Sequence, residues 1–358
     1  MKILHICSIN GNPFSGINIV VPQHVMAQKT TCDVAVLNLH SKKIDCDVKQ
    51  LHIEDLYSGK FNPDIVLFHG VYFLSYVKIS RFLKKINIPY VVIPHCSLTK
   101  VSLAQKRIKK FFAIRIFFSS FLKGASAIQF LTDKEKETSI YSNKGFVCGN
   151  GVAIPSLTKK KFGEKSEKKF IYVGRLDVFH KGIDILLDAI ELEKKYLKEH
   201  HFILNIYGPK QKQSLHNGED AQKEIRDMIF KRNISQLVTV HDAIYGEKKI
   251  EALLNSDFFI QTSRFEGLPL GILEALSLGL PCIVTEGTNT VDFINKYKAG
   301  WGVETNPQKV AEAIKFAINV DSEDQLKEMS SAAMRLISEE FTWNKIAEKE
   351  ISEYKRYI

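Results

Sequence analysis

Short apolar runs rich in β-branched residues alternate along this chain with longer segments in which apolar residues recur at helical spacing. This alternation is typical of a parallel sheet whose strands are joined by helices that cover its faces. In the first half, the apolar runs predict strands near residues 2–9, 33–38, 64–68, 90–94, 126–130 and 145–148. The periodic segments between them predict helices near residues 17–29, 72–86, 105–123 and 133–141.

The same alternation begins again after a polar interruption. The stretch SLTKKKFGEKSEKK, which starts at Ser156, is charged and lacks hydrophobic periodicity, so it predicts a linker. Beyond it, the pattern predicts a helix near residues 183–196 and strands near residues 170–173, 202–207, 237–240, 258–260 and 281–284. An α/β protein of two domains follows, with an N-terminal domain at 1–155, a linker at 156–168, a C-terminal domain at 169–340 and a final helix at 341–358.

Composition agrees with a globular protein, because 45% of the 358 residues are hydrophobic and 25% are charged. The opening MKILHICSI is too short for the apolar core of a signal peptide, and no apolar window approaches about 18 residues. The six cysteines are scattered and form no CxxC pair. These features together predict a reduced, cytoplasmic protein without a membrane span.

Positive charge is concentrated in the first half. Residues 1–150 hold 20 Lys and Arg against 9 Asp and Glu, whereas residues 151–358 hold 30 against 31. This surplus predicts an anionic partner, namely a membrane face, a lipid phosphate or, with less support, nucleic acid, for which no motif is present. Residues 100–123 combine a basic start with many phenylalanines, so two interpretations stay open: a helix bound to anionic lipid, or a core helix with a cationic outer face.

Residues 263–281, SRFEGLPLGILEALSLGLP, carry the most informative chemistry. Pro269 suits the first position of a helix, which places Glu266 in the preceding loop and Glu274 on the second turn. The N–H groups of a helix start bind phosphate, and carboxylates accept hydrogen bonds from sugar hydroxyls. The stretch therefore predicts a nucleotide-sugar site that also includes the residues between the two acids: Gly267, Leu268, Pro269, Leu270 and Gly271.

A second strand-to-helix loop supplies two cations. Arg175 and Lys181 bracket the loop that follows the strand at 170–173. Fixed cations beside a glycine turn are a common way to hold a diphosphate, although the loop taken alone also fits solvated surface charges. Gly208 lies in Tyr207-Gly208-Pro209, another turn at the carboxyl end of a predicted strand that is able to meet a nucleotide.

Three features of the first half are more ambiguous. The loop SINGNPFSG, with Gly11 and Gly16, is not GxGxxG, so it is either a plain strand-to-helix turn or a loop that faces a ligand. His95 follows the fourth strand, where open α/β sheets bind ligands, but a lone histidine is more often structural. Asp45-Cys46-Asp47 matches the DxD of metal-dependent sugar transferases, but no strong strand precedes it and we expect no metal there.

Three segments, in this order and spacing, resemble the motifs of the retaining glycosyltransferases of family 4: IPHCSLTKVSLAQKRIKKFFA, GRLDVFHKGIDILLDA and RFEGLPLGILEALSLGLPCIV. The resemblance covers nearly the whole chain. It implies the GT-B fold, in which two Rossmann-like parallel-sheet domains face a central cleft and the C-terminal helix crosses back to the first domain. It also implies a metal-independent hexosyltransferase that acts by front-side displacement.

The resemblance further implies a role for each matching residue. Arg175 and Lys181 would hold the donor diphosphate and stabilise the leaving group. Glu274 would bind the ribose hydroxyls, and Glu266 would hold the donor sugar near its reacting carbon. His95 would reach from the first domain to the far side of the sugar or to the developing charge. The donor site would also include Gly16 and Gly208, and the acceptor side would include Gly11, His95 and Asn150.

The implied substrates are a nucleotide sugar, for which we expect a UDP-sugar, and a glycan acceptor on a lipid carrier. The resemblance places such a reaction in bacterial surface polysaccharide synthesis, as for O-antigen, capsule or exopolysaccharide. The basic first half predicts peripheral contact with an anionic membrane, and no nucleic acid is expected. No cofactor is expected. Two alternatives stay open: another activity on the same fold, such as an epimerase or a phosphorylase, and a non-catalytic subunit that binds a nucleotide sugar.

Overall fold

The structure is a computed structural model that describes residues 1–12, 15–40, 42–104, 114–156, 167–210 and 220–358. The chain divides into two compact units. The first unit comprises Met1–Gly151 and Trp343–Ile358, and the second comprises Val152–Thr342. Each unit contains one parallel sheet flanked by helices.

The sheet of the first unit has seven strands in the order β3-β2-β1-β4-β5-β6-β7. Its strands are β1 (Lys2–Cys7), β2 (Asp33–Asn38), β3 (Lys49–Leu51), β4 (Ile65–His69), β5 (Tyr90–Ile93), β6 (Ala127–Phe130) and β7 (Gly145–Val147). In β1, Ile3 pairs with Val34 on one side and with Ile65 on the other. The central strands are mostly apolar and buried, as expected when helices cover both faces of the sheet.

The sheet of the second unit has six strands in the order β10-β9-β8-β11-β12-β13. Its strands are β8 (Lys168–Val173), β9 (Phe202–Tyr207), β10 (Val238–His241), β11 (Phe258–Gln261), β12 (Cys282–Thr285) and β13 (Gly300–Val303). This is the doubly wound order, in which the direction of winding reverses between β8 and β11. Ligands of such sheets bind in the crevice at that reversal, outside the carboxyl ends of the strands.

Fifteen α-helices surround the two sheets in the described part of the chain. Those of the first unit are α1 (Gly16–Lys29), α2 (Ile53–Tyr57), α3 (Leu74–Lys85), α4 (Lys100–Ala104), α5 (Ser119–Gly124) and α6 (Asp133–Thr138). Those of the second are α7 (Ile183–Leu192), α8 (Lys194–Glu199), α9 (Ala221–Lys231), α10 (Gly246–Leu254), α11 (Leu270–Ser277), α12 (Val291–Tyr297), α13 (Pro307–Ile318) and α14 (Glu323–Leu336). The last is α15 (Trp343–Tyr354). Two π-helical turns (Ile114–Phe118 and Ile337–Phe341) and a 3₁₀ turn (Glu286–Thr288) complete the helical elements.

The C-terminal helix α15 packs on α1 in the first unit, as the sequence predicts. The ring of Trp343 stacks on that of His24, with 5.7 Å between their centroids. Farther along α15, the Glu350 carboxylate accepts a 2.6 Å hydrogen bond from His24 Nε2. The α/β class with two parallel sheets is likewise confirmed.

The hydrophobic pattern of the sequence does not predict two of the edge strands. β3 contains only Lys-Gln-Leu, and β13 is Gly-Trp-Gly-Val with every residue part-exposed. Both are outermost in their sheets. Short edge strands take their conformation from pairing with a neighbour more than from their own composition, so no alternation marks them.

Other boundaries also differ from the sequence pattern. The helix predicted at 183–196 is two helices, because Glu193 adopts φ −110° and ψ 17° between α7 and α8. Of the helix predicted at 105–123, residues 105–113 lie outside the described residues, and the remainder is a π-helical turn followed by α5. Most of the predicted linker, residues 157–166, also lies outside them. Among the described residues, no helix is both long enough and apolar enough to cross a bilayer.

Candidate active site

In the second unit, the predicted donor residues follow neighbouring strands of one sheet. Arg175 lies two positions after β8, Gly208 directly follows β9, and Glu266 lies five positions after the end of β11. Since β9, β8 and β11 are adjacent and parallel, these residues meet at one edge, where the winding of the sheet reverses. The fold thus brings together residues that are separated by up to 91 positions in the chain.

A buried ion pair occupies the centre of this edge. Lys181 Nζ donates a short hydrogen bond to Glu266 Oε1, and the two side chains are only 11% and 12% exposed. The same oxygen accepts hydrogen bonds from Ser263 Oγ at 2.9 Å and Gln261 Nε2 at 3.3 Å. Burial by itself raises the pKa of Glu266, but the positive charge of Lys181, with His180 and the hydrogen bonds, outweighs burial and holds this pKa below its ordinary value. Glu266 is therefore a fixed negative charge at neutral pH.

Backbone contacts hold the loop of Lys181 against the loop of Glu266. Gly182 has φ +63°, and a Cβ there would lie 1.9 Å from the Thr262 carbonyl oxygen, so no side chain fits. Thr262 Oγ1 donates to the Gly182 carbonyl at 2.8 Å. His180 accepts from the Arg264 N–H at 3.0 Å through its own carbonyl and donates from Nε2 to the Phe265 carbonyl at 2.7 Å. These bonds fix the position from which Lys181 reaches Glu266.

The Arg264 side chain adds contacts between the two loops that the sequence does not predict. Its guanidinium makes two 2.7 Å bonds to the Asp184 carboxylate, one to each oxygen. It also donates to the Phe179 carbonyl at 2.7 Å and lies 4.4 Å from the centroid of the Phe179 ring. Because Asp184 is in the first turn of α7, Arg264 ties the loop after β11 to the start of that helix.

Glu274 lies on the second turn of α11, as predicted, but the helix starts one residue later than expected. Pro269 is the N-cap, with φ −73° and an extended ψ of 118°, and Leu270 is the first helical residue. Proline fixes φ but leaves ψ free, so the sequence alone does not distinguish the cap from the first position. Glu274 accepts a 2.7 Å hydrogen bond from Lys249 Nζ of α10, a residue that no motif indicates.

Close backbone approaches surround the other residues that the sequence predicts for the donor site. A Cβ on Gly208 would lie 2.5 Å from both the Gly174 carbonyl oxygen and the Leu176 side chain, so only glycine fits there. The start of α11 packs on the strand ends, because a Cβ on Gly271 would be 3.4 Å from the Val173 carbonyl. Leu268 is buried. The Asn289 amide nitrogen donates to the backbone carbonyl of Glu266 at 2.6 Å and to that of Gly267 at 3.0 Å.

In the first unit, Gly16 is the first residue of α1, and a Cβ there would meet nothing within 4 Å. Gly11 has φ +78°, and a Cβ on it would overlap the flexible side chain of Lys42. Asn150 is buried a few residues after β7. The Asp-Cys-Asp segment lies elsewhere, where the exposed Asp47 pairs with Lys29 at 2.7 Å.

His95 lies two residues beyond β5 in an unusual turn. His95 has φ +47° and Cys96 has φ +66°, so two successive non-glycine residues adopt the left-handed region, which costs free energy unless the surroundings impose it. Glu135 imposes it by accepting from the Cys96 N–H at 2.5 Å and from the Leu131 N–H at 2.7 Å. Burial raises the pKa of Glu135 to about 7, against the opposing effect of these two bonds.

Behind His95 lies a buried cluster of histidines. His69 Nδ1 is 3.3 Å from His95 Nε2, and His69 Nε2 is 2.9 Å from His5 Nδ1. Among the described residues, His5, His24 and His69 form a group whose potential metal-ligand atoms all lie within 4.8 Å of one another. The sequence gives no signal for this cluster, because its members belong to β1, α1 and β4 with no motif spacing between them.

The two parallel-sheet units are those of the GT-B fold of glycosyltransferases. The family described as Glycosyl transferases group 1 matches residues 156–335, which is 180 of the 358 residues. The chain belongs to this family, and the resemblance to the retaining glycosyltransferases of family 4 is thereby confirmed.

Curated relatives are distant. A Campylobacter jejuni N,N'-diacetylbacillosaminyl-diphospho-undecaprenol alpha-1,3-N-acetylgalactosaminyltransferase is 26% identical over 65% of this chain and 61% of its own length. A probable sucrose-phosphate synthase from Thermosipho melanesiensis is 25% identical over 83% of this chain and 71% of its own length. A Staphylococcus aureus capsular polysaccharide biosynthesis glycosyltransferase, CapH, is 26% identical over 60% and 55%. The chain thus spans about three fifths of the length of the Campylobacter relative.

Solved structures share the fold across the whole chain. Sucrose-phosphate synthase from Thermosynechococcus elongatus superposes with a TM-score of 0.75 at 16% identity, covering 99% of both chains. The Anabaena protein HepE, solved in complex with UDP-glucose, gives a TM-score of 0.73 at 15% identity over 100% of both. At such identities, the similarity establishes the fold.

Proposed function

We propose that this chain transfers a hexose-type sugar from a nucleotide sugar to a glycan acceptor with retention of the anomeric configuration. The observation that carries the proposal is the buried Lys181–Glu266 pair at the point where the winding of the second sheet reverses. A fixed cation beside a fixed carboxylate suits a ligand that has a diphosphate next to a polyhydroxylated ring.

Each group then has a chemical task. The Lys181 ammonium has three N–H donors, so it can keep its bond to Glu266 while it donates to a phosphate oxygen. Arg175 supplies a second positive charge on the same loop, and both charges stabilise the nucleoside diphosphate as it leaves. Glu266 accepts hydrogen bonds from hydroxyls of the donor sugar, and Glu274 accepts them from the ribose.

The transfer needs no covalent intermediate on the enzyme. The bond between the anomeric carbon and the donor phosphate oxygen breaks, and the acceptor oxygen bonds to the same face of that carbon. The proton of the acceptor hydroxyl passes to the departing phosphate. In this scheme Gly16 allows the loop after β1 to approach the phosphates, and His95 contacts the sugar from the first unit, with Gly11 and Asn150 on the acceptor side.

We take the donor to be a UDP-sugar and the acceptor to be a lipid-linked saccharide of a bacterial surface polysaccharide. HepE, which shares the fold, is complexed with UDP-glucose, and the Campylobacter relative is named for an undecaprenol diphosphate acceptor. The basic first unit and the exposed Ile116 and Phe117 support a peripheral location at the inner face of the cell membrane.

A thermal-shift panel of UDP, GDP, ADP and their sugars tests the proposal, because a ligand that binds only the folded state raises its apparent stability. We expect UDP and one or more UDP-sugars to raise the Tm of the wild-type chain, and to do so far less for Lys181→Ala. Incubation with the stabilising sugar nucleotide alone should leave its sugar unchanged. No shift with any nucleotide would contradict the proposal, and a changed sugar would indicate an epimerase.

A further inference from the structure

The Glu350 carboxylate of α15 anchors a buried hydrogen-bond network in the first unit. It accepts from His24 Nε2 at 2.6 Å and from Gln28 Nε2 at 2.7 Å, both to Oε2. Its other oxygen accepts from Gln129 Nε2 at 2.6 Å. Gln129 is itself oriented by the Tyr354 hydroxyl, which donates to Gln129 Oε1 at 2.7 Å. A carboxylate only accepts hydrogen bonds, so it dictates the direction of every bond made to it.

The orientation of Gln28 follows from this anchor. Its amide nitrogen must face Glu350, which leaves its oxygen Oε1 toward His5 Nε2 at a distance of 3.0 Å. An amide oxygen accepts, so His5 must donate from Nε2. A neutral imidazole carries one proton, and His5 Nδ1 is therefore an acceptor.

The same reasoning applies to the next two rings, those of His69 and His95. His5 Nδ1 accepts, so His69 Nε2, 2.9 Å away, must be the protonated nitrogen of His69. His69 Nδ1 is then an acceptor, and His95 Nε2, at 3.3 Å, must be the protonated nitrogen of His95. His95 is left with a lone pair on Nδ1.

We propose that Glu350 and His69 are positioning residues that fix the tautomer of His95, so that its Nδ1 meets the substrate as a hydrogen-bond acceptor. This inference rests on the proposed function, in which His95 contacts the transferred sugar. The substrate group that Nδ1 takes is a hydroxyl, which must donate its proton to the ring. A carbonyl or phosphate oxygen, which only accepts, is excluded from that position.

The charge state of the rings agrees with this assignment. Burial holds the pKa of His5 and of His69 well below the ordinary range, with neighbouring histidines adding to the effect. Burial, with His24, lowers the pKa of His95 to about 3. All three rings are thus neutral at pH 7, as a directional chain requires, since an imidazolium donates from both nitrogens.

A metal ion is the competing explanation for three histidines in so small a volume. It would need nitrogens that the network already uses, because His5 Nδ1 and His69 Nε2 bond directly to each other. The outer nitrogens of these rings are also paired, with Gln28 and His95. The hydrogen-bonded arrangement satisfies the rings without an ion.

Two-bond ¹H–¹⁵N correlation spectra of the full chain, with ¹⁵N-labelled histidine and no substrate, test the inference directly. They distinguish a protonated from an unprotonated ring nitrogen, and the His95→Asn spectrum identifies the His95 signals. We expect His95 with Nε2 protonated and Nδ1 unprotonated, unchanged from pH 8 to pH 5.5. The opposite tautomer, or an imidazolium within that range, would overturn the proposal even if the variants do not fold.

Variants extend the test. His69→Phe keeps a planar ring but removes both nitrogens, and Glu350→Gln introduces a donor where the network requires an acceptor. We expect both to give mixed tautomers of His95 and to lower kcat about tenfold or more, with little change in the KM of the donor. Tyr354→Phe is the matched control, because its hydroxyl lies in the same network but off the path from Glu350 to His95.

Three outcomes would contradict the inference. One is a pure His95 tautomer in folded His69→Phe and Glu350→Gln proteins. Another is a change in Tyr354→Phe as large as in those variants. The third is a shift of the His5, His24 and His69 nitrogens by stoichiometric Zn²⁺, which would assign the cluster to a metal. Since these spectra need no substrate, a chain that transfers no sugar but shows the expected tautomer would contradict only the proposed function.

Discussion

The ammonium of Lys181 and the carboxylate of Glu266 form a buried ion pair although 85 residues separate them in the chain. Neither charge is covered by its own loop alone. Each is desolvated by the other and by the hydrogen bonds of Ser263 and Gln261. Such a pair holds two charges ready at fixed positions, which is the condition for electrostatic stabilisation of a leaving group.

Removal of either partner should strongly slow transfer and also destabilise the fold. We expect Lys181→Ala and Glu266→Ala to lower kcat by a factor on the order of 10²–10³, the range typical of a lost transition-state contact. Each should lower the free energy of unfolding by on the order of 3 kcal/mol, because the remaining buried charge loses its ion-pair partner. Activity assays and urea denaturation measure the two effects.

The double variant and a surface lysine provide the controls. Lys181→Ala combined with Glu266→Ala should regain part of the stability, since neither buried charge remains, but no activity. Lys327→Ala, which removes an exposed helical pair with Glu323, should change neither property measurably. Undiminished transfer by either single variant would remove the catalytic assignment.

Arg264 and Asp184 should be energetically coupled to catalysis although neither belongs to a predicted site. Arg264→Lys keeps the charge but loses the two parallel bonds to Asp184, so the loop that positions Lys181 should loosen. We expect a loss of about tenfold in kcat/KM, and a similar loss for Asp184→Asn. In a double-mutant cycle the losses of kcat/KM in the two single variants should not add. Additive losses would show that Arg264 and Asp184 do not act as a pair.

Gly16 and Gly208 should respond differently to alanine. At Gly16 a methyl group meets no atom within 4 Å, so Gly16→Ala should keep or slightly raise stability while weakening donor binding on the order of tenfold. At Gly208 the methyl group overlaps the Gly174 carbonyl and Leu176, so Gly208→Ala should lower the free energy of unfolding by about 1–3 kcal/mol. Thermal denaturation and titration with UDP separate these effects, and unchanged UDP affinity in Gly16→Ala would contradict its role.

Glu135 should make stability depend on pH. Its pKa is about 7 in the folded chain against an ordinary value of 4.5, so the folded state binds the proton more tightly than the unfolded state. The contribution of Glu135 is therefore fully present below pH 4.5 and is lost as the pH rises through 7. The loss amounts to about 3 kcal/mol, since one pKa unit corresponds to about 1.4 kcal/mol.

Glu135→Gln, which cannot ionise, reveals this dependence. The free energy of unfolding of the wild type, minus that of the variant, should fall steadily between pH 4.5 and pH 8 in denaturant titrations. A constant difference would show that Glu135 has the same pKa in both states.

Exposed apolar residues of the first unit should contribute to membrane binding. Ile116 is 65% exposed and Phe117 is 53% exposed, whereas Phe118 and Phe121 beside them are buried. The described part of the segment therefore has both exposed and buried apolar residues, and binding to anionic lipid stays a prediction. We expect Ile116→Ser with Phe117→Ser to reduce flotation with anionic vesicles severalfold.

The second unit offers a matched control for that experiment. Phe230 is 79% exposed, so Phe230→Ser removes a comparable surface aromatic from a part of the chain without a basic surplus. It should leave flotation unchanged. Equal binding to anionic and neutral vesicles, or no effect of the double variant, would contradict membrane binding through this surface.

Sequence reasoning singles out the residues proposed for the donor side because each lies in a local pattern. Glu266 and Glu274 flank a proline at a helix start, and Arg175 and Lys181 bracket a turn after an apolar run. The ends of strands and the starts of helices can be predicted from such short patterns of residue types. The sequence does not reveal Lys249, Arg264 or Asn289, because their importance comes from contacts with residues 23 to 80 positions away.

The sequence by itself determined the α/β class, the repetition of the pattern in two halves and the identity of the charged groups that follow the strands. It could do so because hydrophobic periodicity and turn residues act over a few positions. The tertiary structure decided which charges pair, where α11 begins and which nitrogen of His95 bears the proton. Those properties depend on burial and on hydrogen bonds between distant segments, such as Glu350 with Gln28 and His24, which arise only when the sheet and its helices come together.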